Sequence, residues 1–190
     1  MTICGIDEVG RGCLAGPVIA CAVVFHGSVP EGVRDSKRLS ESTRRRLDQE
    51  IRAVAHVSLG TATCEEIDRI NILQATMTAM RRAYDGLPAG IGTTRIMIDG
   101  NRAPEIDTTC EVSTMVGGDD LVKEIAAASI VAKVYRDALM ARLHDEHPQY
   151  DWTSNKGYGS PRHLAGIMKH GPTPHHRMTF APLRQPMLGL

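Results

Sequence analysis

Four carboxylates mark the places in this sequence where chemistry is most readily seated. Asp7 and Glu8 follow a short apolar run and precede a glycine turn. Asp99 closes a second apolar run, and Asp119 stands beside Asp120 after two glycines. Oxygen donors without His or Cys beside them select Mg²⁺ or Mn²⁺ over zinc. Two such ions held about 4 Å apart can activate a water and stabilise a leaving oxygen in phosphodiester hydrolysis. Like charges crowded together are unfavourable without a metal, which is itself a reason to expect one. Taken singly, each acid has a plainer explanation as a strand end or helix cap, and Asp119 alone reads as an N-cap. Asp7-Glu8 fits that explanation less well, because two adjacent acids join an apolar strand to a glycine turn.

That turn is Gly10-Arg11-Gly12. Flanking glycines let the backbone approach a ligand closely and expose amide donors. A plain hairpin turn with a solvated Arg11 explains the same residues, and a lone Gly-x-Gly is weak evidence by itself.

The elements that must position these groups alternate along the chain. Residues 2–7 read as a short strand, and residues 18–25 (VIACAVVF) as a buried one rich in β-branched residues. Ser40 can cap a helix whose apolar positions Leu47, Ile51 and Val54 recur every three or four residues. Residues 57–62 suit a third strand. Residues 65–84 form the clearest helix, with Ile67, Ile70, Met77, Met80 and Tyr84 on one face and Gly86 as a stop. Strands follow at 94–99 and 111–116. A long helix is expected from 120 to about 144, burying Leu121, Ile125, Ala128, Ala132, Leu139 and Leu143. Its alanine run, 126–128, suits close approach to a sheet. A short helix capped by Ser160, with Pro161 in its first turn, ends at Gly171. The order predicts an α/β domain with a central mixed sheet, partly parallel, flanked by helices and followed by a helical C-terminal region. Strand ends and helix N-termini in such sheets converge on one rim, and the acids sit at those points.

Composition narrows the classes. The 190 residues fit one domain large enough to bury a core. Lys plus Arg and Asp plus Glu both number 22, so the chain is no polycation with wholesale attraction to phosphate. A hydrophobic fraction of 42% reads as globular, and 4% aromatics leave little for a base-stacking platform. Five cysteines without a Cys-x-x-Cys pair argue against a zinc cluster or a disulfide framework, and for a reducing compartment. The longest nearly apolar stretch, 12–25, is too short to span a bilayer, and Asp7, Glu8 and Arg11 interrupt any signal peptide. A cytoplasmic protein without membrane partners is expected.

Longer motifs are more specific. The run Gly5-Ile6-Asp7-Glu8-Val9-Gly10-Arg11-Gly12, followed by Leu14-Ala15-Gly16-Pro17-Val18, resembles the opening of ribonuclease HII. In family order come Asp35-Ser36-Lys37, Ile98-Asp99-Gly100, Gly118-Asp119, and the stretch Ile125-Ala126-Ala127-Ala128-Ser129-Ile130-Val131-Ala132-Lys133-Val134-Tyr135-Arg136-Asp137. Lys156-Gly157-Tyr158-Gly159, Arg162-His163, Gly171-Pro172, His176-Arg177 and Phe180 complete the set. The resemblance covers residues 4–182. It implies a ribonuclease H-like fold and an endonuclease dependent on two Mg²⁺ or Mn²⁺ ions. Its substrates would be RNA/DNA hybrids and single ribonucleotides in duplex DNA, cut on the 5′ side to leave 3′-hydroxyl and 5′-phosphate ends. A role in ribonucleotide removal during DNA replication and repair follows, as does a monomer. The Asp-Glu pair at residue 7, the Gly-Arg-Gly turn and Tyr158 favour HII over the related ribonuclease HIII, which usually has an extra N-terminal domain.

The same resemblance assigns roles. Asp7, Glu8, Asp99 and Asp119 would be catalytic metal ligands, with Asp120 a competitor one residue from Asp119. Asp137 is a second competitor, read as structural because it lies about five turns from Asp119 along the expected helix. Gly10, Arg11 and Gly12 would cradle the 2′-hydroxyl that separates RNA from DNA. Tyr158 would pack on the deoxyribose after the ribonucleotide, although a tyrosine between glycines is otherwise a loop residue. Ser36 and Lys37 would lie near the substrate backbone, or simply in a solvated loop. His163 and His176 are expected to pack or hydrogen-bond. Cys13 stands where many members have proline, which bears on the geometry of the turn.

Two other classes share some of these features. A junction resolvase of the same fold needs clustered carboxylates but not the turn, and a silent nucleic-acid-binding module needs neither. The tail at 185–190 (QPMLGL) spaces Gln, Met and Leu as a sliding-clamp-binding peptide would, though an unstructured end is the simpler expectation. Charge is also uneven. Residues 152–190 contain Lys156, Arg162, Lys169, Arg177 and Arg184 and no acid, so the remainder carries the compensating acidic excess. Residues 34–52 add a local basic excess. The expected design is one domain over 1–190, with an acidic body and a basic helical region from about 152 that holds duplex phosphates.

Overall fold

Strand pairing accounts for the long apolar run at 18–25. β1 (Ile3–Val9), β2 (Val18–Phe25) and β3 (Ala55–Ala62) are antiparallel neighbours, and β4 (Arg95–Asp99) and β5 (Glu111–Met115) extend the sheet in parallel with β1. The order is β3-β2-β1-β4-β5 in the computed structural model, which describes residues 2–184. On β2, Val18, Ala20, Ala22 and Val24 face one helical layer while Ile19, Cys21 and Val23 face the other. A strand covered on both sides has no polar face, so its alternation is hidden in the sequence.

One layer is α2 (Cys64–Asp85), which brings Ile67, Ala75, Ala79, Met80 and Ala83 onto β3, β2 and β1. The other layer contains α1 (Glu41–Val54), through Leu47 and Ile51, and α4 (Lys123–Glu146), through 126–132. α1 is capped by Ser40, whose hydroxyl accepts from the Thr43 amide at 3.2 Å. Gly5 decides how closely α4 lies on the sheet, because a Cβ there would run into the backbone of Glu124 and Ile125.

Two helices depart from the sequence reading. α2 opens with a reciprocal Thr63–Glu66 capping box and breaks at Asn71, where φ is 65°. The Asn71 side chain accepts from the amides of Leu73 and Gln74 at 3.0 and 3.1 Å, so it restarts the helix as an internal cap. The expected single helix from 120 is a short α3 (Gly118–Leu121) followed by α4, separated by extended backbone at Val122. That break corrects the placing of Leu121 on the buried side. It is 72% exposed, because α3 does not share the axis of α4.

The C-terminal region is helical, with α5 (Trp152–Asn155) and α6 (Pro161–His170). Ser160 caps α6 by accepting from the His163 amide, and Gly171 ends it at φ 76°. A separate core of Leu14, Ala15, Met140, Tyr150, Trp152 and Ile167 fastens this region to the loop after β1. No helix among the described residues is long and apolar enough to cross a membrane. The clamp-like tail at 185–190 lies outside the described residues.

Candidate active site

The carboxylates meet where β1, β4 and α3 come together. Parallel register pairs Ile6 with Ile98, which sets Asp7 beside Asp99 at the same end of neighbouring strands. Ile6 and Ile98 face α2, so alternation turns Asp7 and Asp99 toward the α4 side. Asp99 Oδ1 accepts from the Gly118 amide at 2.8 Å, which ties the start of α3 to the end of β4 and seats Asp119. Asp119 is buried, with Oδ2 3.6 Å from Lys37 Nζ. Asp120 points outward, 3.4 Å from Arg38. The two neighbouring acids are thereby separated, and only Asp119 joins the cluster. Asp137 accepts from Lys133 Nζ at 2.8 Å in an i,i+4 pair within α4.

Burial and like charge act together on these groups. Asp7 is pushed well above the usual carboxylate range, first by burial and then by Glu8, with Asp99 adding to it. Glu8 is raised by burial against the pull of Arg11, whose Nη1 lies 3.2 Å away. Burial also raises Asp119, with Lys37 opposing. Glu8 Oε2 is buried without a hydrogen-bond partner. No three of these carboxylates bring oxygens within 4.8 Å of one another. An oxygen-only donor set with an unsatisfied buried carboxylate oxygen is the chemistry that fits a hard divalent cation.

Beside the acids lies the glycine turn, and its carbonyls are clamped from within. Arg177, fully buried, donates to the carbonyls of Gly10 (2.6 Å), Arg11 (2.8 Å) and Gly16 (2.8 and 3.0 Å). Arg136, equally buried, donates to Ala15 (2.9 Å), Pro17 (3.0 Å) and Lys156 (2.7 Å). Gly10 adopts φ 94°, and a Cβ there would collide with the Arg136 side chain. Tyr158 completes the surface. Its ring edge would be 3.8 Å from a Cβ on Gly12, and it is 50% exposed. The Gly157 carbonyl accepts from the amides of Leu14 and Ala15, lacing the tyrosine loop to the turn.

The match to known proteins is direct: the family model of ribonuclease HII covers residues 4–183. The chain belongs to the ribonuclease HII family. Ribonuclease HII of Paramagnetospirillum magneticum is 51% identical over 191 residues, spanning 98% of this chain and 93% of that protein. The ribonuclease H2 structure from Pyrococcus horikoshii OT3 superposes with a TM-score of 0.80 at 25% identity, over 97% of this chain and 96% of that one. The ribonuclease HII seen in the PCNA complex from Archaeoglobus fulgidus aligns at TM-score 0.77 and 25% identity, over 99% and 98%. The expected fold and family are borne out, and the chain is an enzyme of the ribonuclease class.

In this ribonuclease HII family member several residues reach the site without having been singled out for it. Ser129, on α4, lowers the Asp7 pKa by hydrogen bonding, and its hydroxyl lies 2.9 Å from that of Ser36. Ser36 is buried, so it addresses the cluster from beneath through Ser129, while Lys37 approaches from solvent. Arg136 had a visible signal: it falls on the helical stripe of Ile125, Ser129, Ala132 and Met140, where a charge is out of place. Arg177 had none beyond its motif. Its burial removes it from the basic surface expected to meet phosphates. His163 and His176 have the hydrogen-bonding roles expected of them. Trp152 Nε1–H donates to His163 Nε2 at 3.0 Å, leaving Nδ1–H for the Tyr158 carbonyl at 2.8 Å. His176 Nε2 lies 3.1 Å from His163 Nε2, and its Nδ1 accepts from the Thr173 amide.

Proposed function

We propose that this enzyme hydrolyses the RNA strand of RNA/DNA hybrids and cuts on the 5′ side of single ribonucleotides embedded in duplex DNA, leaving 3′-hydroxyl and 5′-phosphate ends. One observation carries the reading: the carboxylate cluster adjoins a glycine turn, edged by Tyr158, whose Gly10 and Arg11 carbonyls are held by buried Arg177 and which is backed at Gly10 by the side chain of buried Arg136. Clustered acids alone would suit any nuclease of this fold. A rigid backbone surface beside them adds a means of inspecting a sugar.

Asp7, Glu8, Asp99 and Asp119 would hold two Mg²⁺ or Mn²⁺ ions, which when bound lower the pKa of the attacking water and neutralise charge on the departing 3′-oxygen. Ser129, its hydroxyl 2.9 Å from that of Ser36, favours the ionised form of Asp7, whose Oδ1 accepts from the Glu8 amide. Arg11 restrains Glu8, and Gly118 restrains Asp99. Lys37, with a side chain 82% exposed beside Asp119, is placed to exchange that carboxylate for a substrate phosphate. Main-chain groups of Gly10, Arg11 and Gly12 bind the 2′-hydroxyl, and the Tyr158 ring packs on the deoxyribose that follows. The chain acts as one catalytic unit and as a monomer, with its basic C-terminal region along the duplex. Its place is in ribonucleotide removal during DNA replication and repair.

The test is incubation with Mg²⁺ and three substrates: duplex DNA with one ribonucleotide, the same duplex in all-DNA form, and a four-way junction. Cutting of the first alone, 5′ to the ribonucleotide, is expected. Cleavage of the junction would move the enzyme to the resolvases, and binding without cutting would make it a recognition module.

A further inference from the structure

A second cluster of metal-ligating side chains lies away from the carboxylates. Glu146 is the last residue of α4, His147 follows it, and His175 sits in the segment after α6. One donor atom from each lies within 4.8 Å of the other two, the one such trio among the described residues. Ser129, which favours the Asp7 carboxylate, and Glu146 are on the same helix, roughly 25 Å apart along its axis. The trio is therefore no part of the catalytic cluster.

We propose that Glu146, His147 and His175 bind one borderline-soft divalent ion of the zinc class, and that the ion staples the end of α4 to the segment bearing Arg177. Two imidazoles and a carboxylate form a donor set that favours Zn²⁺, Ni²⁺ or Co²⁺ over Mg²⁺, with further positions left to water. The neighbouring histidines make a useful contrast. His163 and His176 use their ring nitrogens on Trp152, Tyr158, Thr173 and each other. The rings of His147 and His175 make no hydrogen bond among the described residues, and their centroids are 5.5 Å apart. Both backbones are held in place beforehand. The His147 amide donates to the carbonyls of Leu143 and His144, and the His175 carbonyl accepts from the Gly16 amide at 2.8 Å and the Cys64 thiol at 3.1 Å. Two residues beyond His175, Arg177 clamps the glycine turn, so a bound ion would brace the surface that faces the substrate sugar.

Trp152, the single tryptophan, reports on the site. Its ring is 5.8 Å from that of His147 and 6.2 Å from that of His175. The experiment titrates Ni²⁺ against Trp152 emission, and Zn²⁺ by calorimetry, on the full chain in excess Mg²⁺. One equivalent of Zn²⁺ should bind, Ni²⁺ should quench the emission, and Zn²⁺ should raise Tm. His175→Gln and Glu146→Gln should each weaken binding on the order of a hundredfold, with Mg²⁺-dependent activity and circular dichroism retained. Asp99→Asn should leave zinc binding and quenching unchanged. Zinc binding that survives both trio substitutions, binding lost in Asp99→Asn instead, or the absence of stoichiometric binding would each overturn the proposal. The readouts do not depend on the substrate, so they stand apart from the cleavage assay.

Discussion

At the scale of single residues, the carboxylates and Tyr158 make separable demands. Asp99→Asn keeps the acceptor for the Gly118 amide but removes a charge from the cluster. Cleavage in Mg²⁺ should fall by a factor on the order of a thousand, with hybrid binding retained in a gel-shift assay; near wild-type cleavage would refute its role as a ligand. Tyr158→Ala should slow cutting at a single embedded ribonucleotide far more than cutting of a long hybrid, because only the first substrate has a deoxyribose after every cleavable site. Equal rates on the two substrates in single-turnover assays would remove its junction role. Residue types and order singled out these acids and preferred Asp119 to its competitor Asp120, and α3 turns Asp119 inward and Asp120 toward Arg38. The arginine clamps were the harder case, since a guanidinium satisfied by carbonyls has no acidic partner in the sequence to betray it.

At the scale of elements, the strands and the caps of α1 and α6 were legible from apolar runs and from Ser40 and Ser160, whereas the Thr63 cap of α2 was not singled out. The breaks were not legible either. Asn71 and Val122 interrupt stretches whose apolar spacing continues past them, and periodicity registers faces rather than axes. The contact between β1 and α4 is the element-level feature on which the site most depends, because it brings Ser129 to Asp7. Gly5 permits it. Gly5→Val should destabilise the fold by about 3 kcal/mol, read as a lowered midpoint in urea unfolding. A midpoint unchanged from wild type would mean that α4 can ride outward at no cost.

At the scale of the whole molecule, equal numbers of acids and bases conceal a division of labour that folding sharpens. On α1, Arg45, Arg46 and Arg52 pair with Glu41, Glu50 and Asp48, which absorbs much of the local basic excess. With Arg177 buried, Lys156, Arg162, Lys169 and Arg184 remain as the C-terminal positive surface. Stability should also divide by pH. Burial, with His163 nearby, holds His176 down at about 4, against 6.5 for a free histidine. Its neutral form therefore stabilises the fold fully above about 6.5, and that contribution is lost as pH falls toward 4. Asp7, Glu8 and Asp119 act in the opposite sense, since their raised values favour the protonated folded state. Tm between pH 7 and 4 should thus fall less steeply in His176→Asn than in wild type, and parallel curves would show that His176 does not titrate with unfolding. The clamp on the turn has a further consequence in time. Arg177 holds carbonyls of Gly10 and Gly16 more than 160 positions earlier in the chain. During synthesis the acids and their sheet are available long before the residue that shapes the sugar-facing turn. On the function proposed above, discrimination would be the last property the growing polypeptide acquires, because a chain ending short of residue 177 would carry the four carboxylates without the guanidinium that holds the turn.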